Sequence, residues 1–175
     1  MSIKSIAVFC GSKSGENPLF VEHAKQLGAM LAEKNITLIY GGGNIGIMGA
    51  VANAAIEKNG KVIGIIPTIL TEREYKIIGT TVHEVSDMHT RKKMLYENCD
   101  GAIILPGGFG TMDEMFEIIT WNQLSIHNKH IFILNSGGFY DHLILQLKKM
   151  QEENFLYNGV IEKIIVVNKP DELDL

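Results

Sequence analysis

Cysteine is scarce in this chain. Cys10 and Cys99 are the only two, and no Cys-x-x-Cys pair is available for zinc. Each lies beside an apolar run, which reads as a reduced core thiol. The six histidines show no metal spacing, and the His-Glu-x-x-His pattern is absent. No apolar run approaches the length that spans a membrane. The chain opens on a strand-like run with Lys4 inside it, not on a secretory leader. Linkers, repeats and low-complexity segments are missing too. The lone tryptophan, Trp121, reads as a core or interface residue. Positive charge is in deficit, with 16 Lys and Arg against 20 Asp and Glu, which weighs against a nucleic-acid partner. A phosphate ligand stays open, because loop N–H groups and two or three local cations set the field at such a site. These absences lead to the expectation of a cytoplasmic protein with no metal, no cofactor, no membrane and no nucleic acid.

What is present suits one domain over residues 1–175, with 46% hydrophobic and 21% charged residues. Apolar strand-like runs cover Ile3 to Cys10, Ile36 to Tyr40, Lys61 to Ile66, Thr81 to Val85, Gly101 to Leu105, Lys129 to Leu134 and Lys163 to Val167. Segments of helical period stand between most of them. One, opened by Pro18, carries Phe20, Ala24, Leu27 and Leu31 on one face. Strands alternating with amphipathic helices predict an α/β fold: a Rossmann-like, doubly wound parallel sheet in three αβα layers. The acidic end, 170–175, is expected to fray. Ligands of such sheets bind beyond the C-terminal strand ends, where Gly11, Gly41 to Gly43 and Gly107 to Gly110 leave their strands.

The most informative stretch is Leu105 to Thr120, LPGGFGTMDEMFEIIT. Glycines at 107, 108 and 110 let backbone approach a ligand without a Cβ in the way. Thr111 adds a hydroxyl, and Met112, Met115, Phe116 and Ile119 share the face of a helix that follows. A helix N-terminus suits an anion. Glu114 is expected in the first turn, beside whatever binds there. Asp113 and Glu117 read as dipole-stabilising acids, and Arg91, Lys92 and Lys93 could be no more than a solvated basic run. Gly41, Gly43 and Gly46 spell a dinucleotide fingerprint, but the next strand tip, Ile65-Ile66-Pro67, lacks the acid that such a site wants.

The motif Pro106 to Glu114 reads PGGxGTxxE at every fixed position. With Phe9 to Ser12 (FCGS), Tyr40 to Gly49 (YGGGxxGxMG), Met88 to Lys92 (MHxRK) and Thr120 to Lys129 (TWxQLxIHxK), the chain resembles the Lonely-guy family, the cytokinin riboside 5′-monophosphate phosphoribohydrolases. Sequences of this kind often carry the label lysine decarboxylase, yet nothing here reads as a pyridoxal-phosphate lysine site. The resemblance implies Arg91 and Glu114 as catalytic residues. It implies substrate or phosphate contacts from Gly11, Ser12, Gly42, Gly43, Glu74, Met88, Lys92, Gly107, Gly108, Phe109, Gly110, Thr111 and Thr120. It implies a homodimer with the pocket near the interface. Departures from the family pattern are Ser125 in place of a usual glycine, His130 in place of a usual proline, Met112-Asp113 inside the variable positions of the motif, and the segment Tyr75 to Val82. His89 and His127 read as structural.

A phosphate cradle, one carboxylate and one arginine can cleave an N-glycosidic bond, whose transition state is a ribosyl cation. The expected reaction is hydrolysis of a purine nucleoside 5′-monophosphate, N6-substituted or AMP itself, to base and ribose 5-phosphate. Arg91 could polarise the leaving base or hold the phosphate–ribose end. Three competing readings remain at this level: a non-catalytic nucleotide-binding or carrier module on the same fold, as in molybdenum-cofactor carriers; an NAD-dependent enzyme; and a purely structural protein.

Overall fold

A computed structural model describes residues 3–70, 78–157 and 159–175. Seven strands form one sheet: β1 (Ser5–Phe9), β2 (Thr37–Tyr40), β3 (Val62–Pro67), β4 (Thr81–Val85), β5 (Gly101–Ile104), β6 (His130–Leu134) and β7 (Ile164–Val167). Their order is β4-β3-β2-β1-β5-β6-β7, and every pairing is parallel. Five helices connect them: α1 (Leu19–Glu33), α2 (Gly46–Glu57), α3 (Met88–Glu97), α4 (Phe109–Gln123) and α5 (Asp141–Glu152).

Side chains of a strand alternate between faces, so a sheet covered on both sides needs apolar residues at every position. That pattern is seen here. Ile6 and Val8 of β1, Leu38 and Tyr40 of β2 and Phe132 and Leu134 of β6 pack with α1 and α2. Their neighbours Ala7, Phe9, Ile39, Ile131 and Ile133 pack with α3, α4 and the start of α5. On the first face α1 and α2 meet closely. A Cβ added at Gly28 would lie 2.2 Å from the Val51 carbonyl oxygen.

Helix ends follow local chemistry. Asn35 and Asn59, just beyond α1 and α2, take left-handed backbone at φ 57° and 59°, the conformation that closes many helices. Ser125 does the same beyond α4, at φ 57°, which gives a physical reason for glycine being the residue expected there.

Three expectations are corrected. The end of the chain is docked, not frayed: Leu173 is buried in the α1–α2 side of the core, and the Lys34 Nζ donates to the Leu175 carbonyl at 3.1 Å. Acidic residues there flank apolar ones that have a place to go. Phe116, grouped above with the buried face of its helix, is 40% exposed, while Ile118 takes the buried place. Helix α4 also begins at Phe109, so Glu114 stands in its second turn and not its first.

Candidate active site

Sheet order changes direction at β1, with β2 on one side and β5 on the other. The loops leaving β1 and β5 therefore open a crevice between them. They are stitched together at its base, where the Gly11 N–H donates to the Pro106 carbonyl at 3.0 Å and the Met48 N–H donates to the Gly11 carbonyl at 3.2 Å. The buried Tyr140 hydroxyl donates to the Leu105 carbonyl at 2.7 Å, which fixes the last residue before the Pro-Gly-Gly turn. Over this base lies a cavity of about 470 Å³.

Many of the expected site residues line that cavity: Gly11, Ser12, Arg91, Gly107, Gly108, Phe109, Gly110, Thr111 and Glu114. Gly108 precedes α4 as its cap residue and offers no side-chain bond, and the first intrahelical bond is Met112 N–H to the Gly108 carbonyl. The amides of Phe109, Gly110 and Thr111 thus have no acceptor within the helix and carry the positive end of its dipole. Cβ atoms at Gly108 and Gly110 would meet nothing within 4 Å, so this end of the cavity is open to a ligand. Gly107 is different: its Cβ would lie 2.1 Å from Thr111 Oγ1, so the missing side chain is where the threonine hydroxyl tucks in.

Arg91 comes from α3. Asp87 caps that helix, accepting N–H bonds from His89 and Thr90 at 2.9 Å each and a hydroxyl bond from Thr90 at 2.8 Å. The Ser86 and Thr90 hydrogen bonds hold the Asp87 carboxyl well below the usual carboxylate range. One turn on, the Arg91 side chain runs inward. Its Nε donates to the Ile65 carbonyl at 3.2 Å, and its Nη1 lies 3.2 Å from Glu114 Oε1. A Cβ at Gly41 would fall 2.2 Å from Arg91 Nη2. The first glycine of the Gly41-Gly42-Gly43 run is therefore a socket for the guanidinium.

Arg91 and Glu114 side chains are each 11% exposed. Burial pushes the Glu114 carboxyl up to about 7, against the pull of the Arg91 guanidinium toward the ionised form. Such a group is poised to exchange a proton near neutral pH. Cys10 also lines the cavity. Burial, reinforced by the Glu114 charge, pushes its thiol far above the ordinary value, which leaves it a protonated, weak nucleophile.

Other expected residues lie elsewhere. Gly42 is buried under Ile66, at φ 88° with room for no Cβ, and Gly43 is buried beside it. These two shape the Arg91 socket loop and do not line the cavity. Met88 is exposed at the start of α3. The Thr120 hydroxyl donates to the Phe116 carbonyl of its own helix at 2.7 Å. Lys92 turns away from the cavity onto α4 and binds Asp113 and Glu117, each at 3.2 Å. Asp113 and Glu117 thus partner a lysine, beyond any part in the helix dipole. Glu74 lies outside the described residues.

Sequence reasoning missed several lining residues. Lys13, Met48 and the edge-to-face pair Phe20–Phe139, 5.4 Å between ring centroids, all border the cavity. Cys10 could have been found from its place at the C-terminal end of β1. The Phe20–Phe139 pair had no such signal, since the two are remote in sequence.

The cytokinin riboside 5′-monophosphate phosphoribohydrolase LOG7 of Arabidopsis thaliana is 43% identical to this chain over 175 residues, 98% of this chain and 79% of that protein. The chain belongs to the cytokinin riboside 5′-monophosphate phosphoribohydrolase family. LOG1 of the same plant is 42% identical over 98% of this chain and 80% of its own length. A probable member from Oryza sativa subsp. japonica, LOGL2, is 42% identical over 97% and 70%. The family model described as possible lysine decarboxylase matches residues 48–174. Among solved structures, a molybdenum cofactor binding protein from Rippkaea orientalis superposes with a TM-score of 0.73 at 22% identity, over 98% of this chain and 93% of that one. A molybdenum cofactor carrier protein from Chlamydomonas reinhardtii gives 0.71 at 17% identity, over 97% and 92%. At those identities the likeness is one of fold. No helix among the described residues of this phosphoribohydrolase-family chain is long and apolar enough to cross a membrane.

Proposed function

We propose that this protein hydrolyses the N-glycosidic bond of adenosine 5′-monophosphates, N6-substituted ones included, releasing the free base and ribose 5-phosphate. One observation carries the reading: a buried carboxylate paired with an arginine, Glu114 and Arg91, borders the same cavity as the unbonded first-turn amides of α4.

In this reading the phosphate rests on the amides of Phe109, Gly110 and Thr111, with the Thr111 hydroxyl and the Gly11–Ser12 loop beside it. Binding energy from that remote group holds the sugar near Glu114. As the bond from C1′ to the purine nitrogen breaks, the sugar becomes cationic, and the Glu114 carboxylate stabilises it. The bonding pair leaves with the base, water forms the new bond to C1′, Glu114 takes a proton from that water, and a proton passes to the departing purine, which leaves as the neutral base and returns Glu114 to its carboxylate form. Arg91 keeps Glu114 oriented and lowers the cost of its charge. Low-dielectric surroundings strengthen both effects.

The reading includes a homodimer and a cytoplasmic setting. Phe109, Phe116 and Leu124 of the α4 region and Met88 of α3 are apolar and exposed, and a second copy would cover them. The two cysteines are unpaired thiols, as a reducing compartment keeps them.

The test is incubation with AMP, isopentenyladenosine monophosphate and adenosine, with chromatography of the products. Free base and ribose 5-phosphate should form from both nucleotides and far more slowly from adenosine. Binding of AMP with no base released would leave a carrier and contradict the reading.

A further inference from the structure

Lys92 follows Arg91 in the chain, and the two side chains leave α3 in different directions. Arg91 borders the cavity and Lys92 does not. Lys92 instead borders a void of about 10 Å³ on the far side of Glu114, with Phe9, Leu95, Tyr96, Glu117, Ile118 and Trp121 around it. Glu114 is the residue common to the two spaces, so it forms a wall with the ligand cavity on one side and Lys92 on the other.

Lys92 is only 15% exposed, and its ammonium is shared between two acids of α4, 3.2 Å from Asp113 Oδ2 and 3.2 Å from Glu117 Oε1. Those acids occupy the positions before and three after Glu114. Helices α3 and α4 are therefore joined by two adjacent cross-helix pairings: Arg91 with Glu114, and Lys92 with Asp113 and Glu117. Three carboxylates meet two cations. If Lys92 were neutral, Asp113 and Glu117 would repel the Glu114 charge and compete for Arg91. The charged groups facing Glu114 are Arg91 and Lys92 from α3 and Asp113 and Glu117 from its own helix, and the neutral Cys10 thiol meets it from the end of β1.

We propose that Lys92 is a positioning residue: its ammonium neutralises Asp113 and Glu117, and so favours the charged form of Glu114 and keeps it in register with Arg91 at the cavity wall. The proposal rests on the hydrolase reading for its kinetic test, but its spectroscopic test does not. Lys92→Met keeps the side-chain stem and removes the charge. In the whole protein, the Glu114 carboxyl, assigned by its absence in Glu114→Gln and followed by carbon NMR through a pH titration, should titrate at higher pH in Lys92→Met than in wild type. With AMP as substrate, kcat at pH 7 should fall roughly ten- to hundredfold, recover substantially by pH 9, and leave KM and the affinity for ribose 5-phosphate within about twofold. Lys92→Arg, which can bond both acids, should restore most of the rate. Circular dichroism verifies that each variant is folded; if Lys92→Met is not, the Lys92→Gln titration decides. An unmoved Glu114 titration, or a tenfold weaker ribose 5-phosphate affinity with the titration unmoved, would overturn the proposal, the second result making Lys92 a phosphate contact. A wild-type protein without base release, but with the titration shifted in the variant, would contradict the hydrolase reading and leave the positioning role standing.

Discussion

Arg91 Nη1 stands 3.2 Å from Glu114 Oε1 in a wall that is nearly closed to solvent, and the space for that guanidinium exists because residue 41 has no side chain. Helices α3 and α4, the loop at Gly41 and the Ile65 carbonyl of β3 meet at this one contact.

Acid should switch the enzyme off early. The Glu114 carboxyl is pushed up from 4.5 to about 7 in the free protein, so kcat/KM should lose about tenfold per pH unit below roughly 7 as the carboxylate is protonated. An ordinary glutamate would place that limb near 4.5. The same shift has a stability consequence of fixed sign. A carboxyl with a raised folded-state pKa binds its proton more tightly when folded, so its contribution is full below pH 4.5 and is lost as pH rises through about 7. Urea midpoints of wild type should therefore fall across that window relative to Glu114→Gln, and parallel curves would contradict the shift.

Gly41→Ala should behave as an arginine mutant. Its methyl would fall 2.2 Å from Arg91 Nη2, forcing the guanidinium off Glu114. We expect kcat to drop roughly a hundredfold and stability to drop by about 1–3 kcal/mol. Steady-state kinetics beside Arg91→Ala provide the comparison, and a Gly41→Ala enzyme of wild-type kcat would refute the socket.

Two further glycines should separate fold from site. Gly28→Ala drives a methyl to 2.2 Å from the Val51 carbonyl oxygen between α1 and α2. It should cost about 1–3 kcal/mol in urea unfolding while the folded fraction keeps its kcat and KM. Gly108→Ala meets no atom within 4 Å and should change stability by less than about 0.5 kcal/mol. Its methyl enters the space before the α4 amides, so KM for AMP should rise about tenfold or more.

Ser125 holds φ 57° just past α4, where a side chain costs about 1–2 kcal/mol and glycine costs little. Part of that gain is lost through the freer unfolded chain. Ser125→Gly should stabilise by up to about 1 kcal/mol, raising Tm by about 2–4 °C. A lower Tm would show that Ser125 has a further role.

Much of the sheet was legible because buried parallel strands carry apolar residues at every position, as in Ile6 to Phe9 and Ile131 to Leu134. The glycine loops could be placed at one edge for the same reason. Side-chain direction was not legible. Arg91 and Lys92 are equivalent as letters in a row, but on α3 they diverge, and only the three-dimensional placement of Gly41 and of Asp113 tells one from the other. Glu114 was placed a turn too early because a helix can begin on Phe109 and Gly110, residues that advertise a loop. The docked C-terminus was hidden by its acids, since Leu173 and Leu175 stand among them. Phe20 and Phe139 meet at the cavity from opposite parts of the chain, a pairing no local pattern announces.

The central claim is that the Glu114 carboxylate faces the sugar of a phosphate-anchored nucleotide. Base release from AMP by Glu114→Gln, measured beside AMP binding by calorimetry, tests it most directly. The account predicts turnover reduced by roughly a thousandfold with the dissociation constant within about threefold of wild type. A Glu114→Gln protein that still releases adenine at near the wild-type rate would contradict it.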